Sequence, residues 1–245
     1  MVRKFATSAL FALTTLTVSA PAAAESFDAF SSFNATQGAG GFSYGSFDGT
    51  TFTPFTQSGG CVVSGVTCLR GPAAILPSVF KADGSLANDG TVLLATDRLI
   101  AHPGEFADSL YIAFTAPFAG SFTYSVQFNQ QDSNTARNSV GITEFFRPVS
   151  GPVELYAIGT VNESQPSLLT GFTQTVAAGD VIGYIIDKNG VYFNDSTGFN
   201  FTLTADAPAV PEPASWAMMI IGFGAAGGAL RRRNSARTLL GSITR

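Results

Sequence analysis

Residues 120–128, Gly-Ser-Phe-Thr-Tyr-Ser-Val-Gln-Phe, set Phe122, Tyr124, Val126 and Phe128 on one face and Ser121, Thr123, Ser125 and Gln127 on the other. Side chains of a strand alternate between faces, so this unbroken period of two specifies a half-buried β-strand. Residues 109–115, Ser-Leu-Tyr-Ile-Ala-Phe-Thr, read the same way. The short connection Ala116-Pro117-Phe118-Ala119-Gly120 predicts that the two runs pair as an antiparallel hairpin. Further strands are expected near 41–47, 50–56, 91–95, 153–161, 168–176, 181–187 and 198–204, with no helical period longer than about two turns between residues 25 and 204. Short strands punctuated by turn signals predict an all-β chain folded as a β-sandwich.

Composition agrees with that class. Only 12% of residues are charged, while Gly (26) and Phe (22) are plentiful. Aromatic side chains pack on a pleated surface, and Gly supplies the positive φ that tight turns require. The formal net charge of -4 hides an asymmetry, because seven of the 13 basic residues lie at the two ends. Residues 25–211 carry about -10 by the same count. Such a segment repels phosphate backbones, which excludes nucleic acid as a partner.

The ends read as addresses. Arg3 and Lys4 precede the apolar run Phe5 to Val18, and small residues follow up to Ala24. This is the three-part pattern of a secretory signal peptide over residues 1–24, with Ala22 and Ala24 flanking Ala23 and cleavage before Glu25. At the other end, Trp216 to Leu230 contains no charge and is closed by Arg231-Arg232-Arg233. Counted from Pro213, the segment would span about 27 Å as a helix, close to the roughly 30 Å of a hydrocarbon core. The three Arg would hold their side in the cytoplasm, and Trp216 suits the opposite interface. A permanent single-pass anchor is the plainer reading of the same residues.

Val210-Pro211-Glu212-Pro213-Ala214-Ser215-Trp216-Ala217, the apolar stretch behind it, Gly227-Gly228 and the Arg run together resemble the PEP-CTERM sorting signal in its Trp-Ala variant. The resemblance implies passage through the secretion translocon, transient inner-membrane retention by residues 211–233, and cleavage near Pro211-Glu212-Pro213 by an exosortase. The protein would then reside on the outer surface or outside the cell, in bacteria that produce exopolysaccharide. The basic tail at 234–245 is longer than the family usually carries. A second resemblance rests on Ala101-His102-Pro103-Gly104, Phe114-Thr115-Ala116-Pro117 with Gly120-Ser121-Phe122, Ala177-Ala178-Gly179-Asp180 and Phe193-Asn194-Asp195-Ser196-Thr197-Gly198. This series is similar to secreted jelly-roll β-sandwiches that resemble carbohydrate-binding modules. The expected organisation is therefore a signal helix at 1–24, a jelly-roll-like antiparallel sandwich at 25–204, a linker at 205–210, and the sorting segment with its transmembrane helix.

Within the sandwich, Cys61 and Cys68 are the only cysteines, and in an oxidising compartment they are expected to form a disulfide. A zinc site would need more ligands than the single His102 supplies. Gly41-Phe42-Ser43-Tyr44-Gly45 matches a nucleophile elbow in letters, but a strand turn follows it where a helix would be needed. His102 before Pro103-Gly104 reads as a turn residue. Glu105, Asp108, Asp132, Glu144 and Glu154 are available for a glycosidase pair, although with sixteen scattered acids, the 17 of the chain less Glu212, some pair is inevitable. Asp180, Asp187 and Asp195 read as turn formers, with a structural calcium as the one metal they would suit. Tyr111, Tyr156, Tyr184 and Tyr192 are candidates to stack on sugar rings.

No residue is assigned a catalytic role and no cofactor is called for. The expected function is a non-catalytic exported module associated with exopolysaccharide. A self-associating matrix protein is the alternative, and a glycan-active enzyme the third reading. Intact-mass measurement of the exported protein should give a chain without residues 1–24 that ends before residue 214. A mass retaining residues 214–245 would contradict processing at the tail.

Overall fold

The computed structural model describes residues 24–61, 63–72, 76–105, 108–134, 139–206, 218–229 and 231. The chain divides into two compact units, Ala23–Pro208 and a second formed by Met1–Ala22 with Ala209–Arg245. The signal helix expected at 1–24 lies outside the described residues, apart from Ala24.

Two antiparallel sheets make up the first unit. One runs in the order β14 (Ser167–Val176), β11 (Gly120–Gln130), β16 (Thr197–Asp206), β9 (Leu99–His102), β6 (Ser78–Ala82), β5 (Val66–Arg70) and β4 (Gln57–Ser58), with β1 (Ala24–Asp28) also on β16. The other runs β13 (Glu154–Asn162), β12 (Ser139–Arg147), β15 (Val181–Asp187), β10 (Ser109–Thr115), β2 (Phe42–Phe47) and β3 (Phe52–Pro54). A small hairpin, β7 (Asn88–Asp89) with β8 (Val92–Leu93), stands apart, and a single helical turn, α1 (Ala29–Ser32), follows β1. From β9 onward the chain winds through two four-stranded layers, 9-16-11-14 and 10-15-12-13, crossing between sheets at every step except β12 to β13. That winding is the jelly-roll topology.

The core follows from the pleat. Phe122, Tyr124, Val126 and Phe128 of β11 turn inward beside Phe199, Phe201 and Leu203 of β16. They meet Phe42 and Tyr44, Ile112 and Phe114, and Ile182, Tyr184 and Ile186 from the facing sheet. The Phe201 ring lies 5.6 Å from Phe42, 6.4 Å from Tyr124 and 5.4 Å from Tyr184, centroid to centroid. Edge-on contacts at these distances suit the quadrupoles of the rings.

β10 does not pair with β11, contrary to the hairpin expected from their short connection. β10 lies between β2 and β15, and β11 between β14 and β16, so Ala116–Ala119 carries the chain from one sheet to the other. The burial patterns give the reason. β11 alternates, whereas β10 is buried on both faces up to Thr115, where it reaches an exposed end. The outer face of β10 is sealed by a second aromatic layer of Tyr111 and Phe145 with Phe47 and Phe52. Gly183 makes room for that layer, since a methyl there would stand 2.3 Å from the Ile112 carbonyl oxygen and 2.6 Å from the Phe145 ring. β16 continues to Asp206, two residues into the segment read as a linker.

The Cys61–Cys68 disulfide is formed, as the cysteine count predicted. It belongs to a satellite cluster with Phe80 and Ile100. Truncating Phe201 to Ala should cost about 3–5 kcal/mol, because a fully buried ring with three aromatic neighbours leaves a cavity that rigid strands cannot close. Urea unfolding of the two proteins measures the difference.

A neutral polar cleft at one pole of the sandwich

β16 orients the site. Its C-terminal residue Asp206 pairs with Ala24, so both ends of the folded unit leave at one pole, and its N-terminal residue Thr197 lies at the other. At about 3.4 Å per residue the strand separates the two poles by roughly 30 Å. The links β9–β10, β11–β12, β13–β14 and β15–β16 gather at the Thr197 pole.

A cleft of about 480 Å³ opens there, lined by Leu93, Arg98, Asn129, Gln130, Gln131 and Ser167 among others. The β7–β8 hairpin forms one wall and is tied to the β11–β12 link. Leu93 N–H donates to the Gln131 carbonyl at 2.6 Å, Ser133 N–H donates to the Thr91 carbonyl at 2.8 Å, and Thr91 Oγ1 donates to Asp132 Oδ1 at 2.8 Å. Gly198 keeps the floor low, since a methyl there would stand 2.7 Å from Arg98 Cδ and 2.9 Å from Gln131 Cγ.

The cleft is polar and electrically quiet. Arg98 donates through Nε and Nη2 to the two oxygens of Asp97, both at 2.8 Å, and through Nη1 to Asn129 Oδ1. The pair holds the Asp97 carboxyl below the usual carboxylate range, chiefly through the Arg98 hydrogen bond. Asn129 Nδ2 donates onward to Ser167 Oγ at 3.1 Å. Beyond Asn129 the outer face of β11 carries no charge. Gln127, Ser125, Thr123 and Ser121 of β11 run between Thr173 and Thr175 of β14 and Asn200, Thr202 and Thr204 of β16. Side-chain hydroxyls and amides therefore repeat about every 6.8 Å along a strand and 4.8 Å across strands.

Under the same pole lies a buried acidic pair. Asp132 Oδ2 accepts the Ser196 N–H at 2.8 Å, and Asp195 Oδ1 accepts the Ser139 N–H at 3.1 Å. Asp195 Oδ2 and Ser196 Oγ have no hydrogen-bond partner. Burial, with smaller pushes from Asp132 and Asp187, raises Asp195 to about 8, against the Ser139 hydrogen bond and Lys188. His102 is also buried there; its Nδ1 donates to the Pro103 carbonyl at 2.8 Å, and burial lowers its pKa.

The other residues singled out in the sequence are scattered. Asp180 caps a turn at the opposite pole, accepting Val149 N–H and Ala177 N–H at 2.8 Å each. Asp187 accepts from Ser109 Oγ and Asn189 N–H. These two and Asp195 are not brought together, and among the described residues no three His, Cys, Asp or Glu side chains gather to hold a metal. Ser43 sits on β2 and β3 follows it, so the elbow-like pattern is strand. Glu144 is buried beneath the O–H of Tyr124, its pKa raised by that burial, while Glu154 accepts from the exposed Tyr156. Glu105 is exposed and Asp108 half-buried. Tyr111 and Tyr184 are corrected as sugar-stacking candidates, because both rings are buried in aromatic layers. Tyr156 is 51% exposed, Tyr192 is half-buried, and Phe172 and Phe193 add exposed rings that lack a hydroxyl.

Of the processing residues, Ala24 and Glu25 are exposed on β1, and Arg231 is exposed. Ala22, Pro211, Glu212, Pro213, Trp216, Arg232 and Arg233 lie outside the described residues. Residues 218–229 form a helix, about 18 Å long at 1.5 Å per residue. No described helix is long and apolar enough to cross a membrane.

The fold is a jelly-roll sandwich with a polar cleft, its Arg98 paired with Asp97, at the pole opposite the ends of the folded unit. Residues 209–233 match the PEP-CTERM protein-sorting motif, so the chain carries a signal that implies export to the cell envelope and exosortase processing. No curated protein matches the chain in sequence. Among solved structures it is similar to a xylan-binding domain of carbohydrate-binding family 22, at 16% identity and TM-score 0.33, over 64% of this chain and 97% of that one. It is also similar to a family 35 carbohydrate-binding module from Clostridium thermocellum, at 11% identity and TM-score 0.30, over 44% and 78%. A module from Cellvibrio mixtus lichenase 5A gives 14% identity and TM-score 0.28, over 63% and 92%. A likeness this distant says nothing of ligands.

Asp195 makes stability fall with pH. Its folded pKa of about 8 exceeds the ordinary value of 3.8, so the folded state binds the extra proton between these limits. Stability should therefore decline from about pH 4 to about pH 8 and level off above. Asp195→Asn should flatten the decline and raise the urea midpoint at pH 8 relative to wild type.

Proposed function

We propose that the exported domain is a non-catalytic module that binds an uncharged, hydroxyl-rich stretch of exopolysaccharide at the Thr197 pole. The observation that carries this reading is the charge-free strip of Ser, Thr, Asn and Gln that runs along β11 into the cleft, on a domain that is otherwise acidic. Hydroxyls and amides both donate and accept, which suits sugar hydroxyls, and the amide groups of Asn129, at the end of β11, and of Gln131, just past it, line the cleft. Leu93 offers an apolar contact beside them, exposed on the hairpin wall.

Placement favours the same reading. Ala24 and Asp206 pair at one pole of the folded unit, and the cleft opens at the other, about 30 Å along β16. The secretion translocon delivers the protein, the tail retains it at the inner membrane, and an exosortase cuts near Pro211-Glu212-Pro213 to release it.

Affinity electrophoresis and calorimetry of the purified domain against neutral and uronate-rich polysaccharides test the proposal. Binding to the neutral polymer should survive high salt, because no ion pair is used. Asn129→Ala with Gln131→Ala should weaken it by about ten- to a hundredfold, the scale of two lost hydrogen bonds. Binding only to the uronate polymer, or an unaffected double variant, would sink the reading.

A further inference from the structure

Among the described residues five strands lie at the edges of the two sheets, and each turns unpaired backbone groups outward, an invitation to pair with another chain. β1, beside β16, is five residues long and carries Glu25 and Asp28, and three further edges are blunted. β4 is two residues long, and β3 is three residues long and ends in Pro54. β13 carries Glu154 and is bent where its register with β12 shifts between Ile142 and Thr143.

β14 has none of these guards. Its ten residues, Ser167–Val176, pair with β11 without a break from Asn129↔Ser167 to Gly120↔Val176, and they include no Pro and no charge. Gln130 N–H donates to the Pro166 carbonyl at 2.9 Å, which fixes the phase of the ladder. Even-numbered residues of β14 therefore turn their N–H and C=O toward β11, and Ser167, Leu169, Gly171, Thr173 and Thr175 turn theirs to the open side. All five are exposed, Leu169 at 70%, and Phe172 beside them is 48% exposed.

Charge selects the occupant. The domain carries about -10, so two copies approaching by most routes set carboxylates against one another. A strand paired with its own copy across a two-fold axis favours an edge free of charge, because a charge at the axis would face its like and a charge elsewhere would face a neutral residue with no counter-ion. A basic partner would instead be drawn to the acidic surfaces and gain nothing from a neutral edge.

We propose that β14 pairs antiparallel with β14 of a second copy, joining two eight-stranded sheets into one and covering Leu169 and Phe172. The neutral outer faces of the two copies then become continuous. This pairing does not depend on the glycan reading.

Sedimentation velocity of the domain Ala23–Pro208, a compact unit with its own core, tests it from low to high micromolar concentration. Wild type should shift from monomer to dimer, Leu169→Lys with Thr173→Lys should remain monomeric, and Leu169→Val with Thr173→Val should still dimerise. Hydrogen exchange on wild type gives an independent readout, since the amides of Leu169, Gly171 and Thr173 should slow as concentration rises. That measurement decides alone if the lysine variant fails to fold. A wild type that stays monomeric with these amides freely exchanging overturns the proposal, and so does a dimer that persists in the lysine variant.

Discussion

Everything in this domain depends on one packing event, the closing of β11 and β16 onto β15 and β2 through inward aromatic rings. Phe201 touches Phe42, Tyr124 and Tyr184 at once, so three elements far apart in sequence are held by one side chain. Rings that interlock in tilted and edge-on contacts fix the spacing and the register of the sheets together, and with them which residues of β11 must face outward. The neutral strip that leads to the cleft is the outward half of the same strand that supplies Phe122, Tyr124, Val126 and Phe128 to the core.

Polar groups at the two poles are used differently. At the Asp206 pole, Asp180 satisfies two backbone donors and closes a turn, which is a structural role with both carboxyl oxygens occupied. At the Thr197 pole, Asp195 and Ser196 keep buried oxygens without partners, and Asp195 holds a proton into the neutral range to avoid a buried charge. A protein tolerates such costs where other constraints shape the surface above. The cleft lies at this pole, and Arg98 there is matched by Asp97, so the pair adds no net charge to it.

Much of the sandwich was legible because alternation is a local signal. The strand at 120–128, the turn roles of Asp180 and Asp187, and the Cys61–Cys68 pairing could each be reasoned from neighbouring residues. The failures share a cause. The hairpin between 109–115 and 120–128 misled because a short link fits either a turn within a sheet or a step between sheets, and only the partners on both sides decide. Tyr111 and Tyr184 looked available for stacking because exposure is set by what packs over a ring, here Phe52 and Phe145 over one and Phe128 and Phe201 over the other. Arg98, Asn129 and Gln131 gave no motif at all, since the cleft draws them from separate strands and links.

The amino-acid sequence by itself determined the all-β class, the acidic and weakly charged middle, the disulfide and the address at residues 209–233, because composition, period and a contiguous motif are properties of the linear chain. Tertiary structure alone decided which strands are neighbours, which rings are exposed, where the cleft opens, and that β14 is a long sheet edge with no charge and no Pro to guard it. Those facts arise from contacts between segments separated by tens of residues. Burial, edge position and convergence are relations in space, and the order of residues along the chain does not contain them until the sheets have closed.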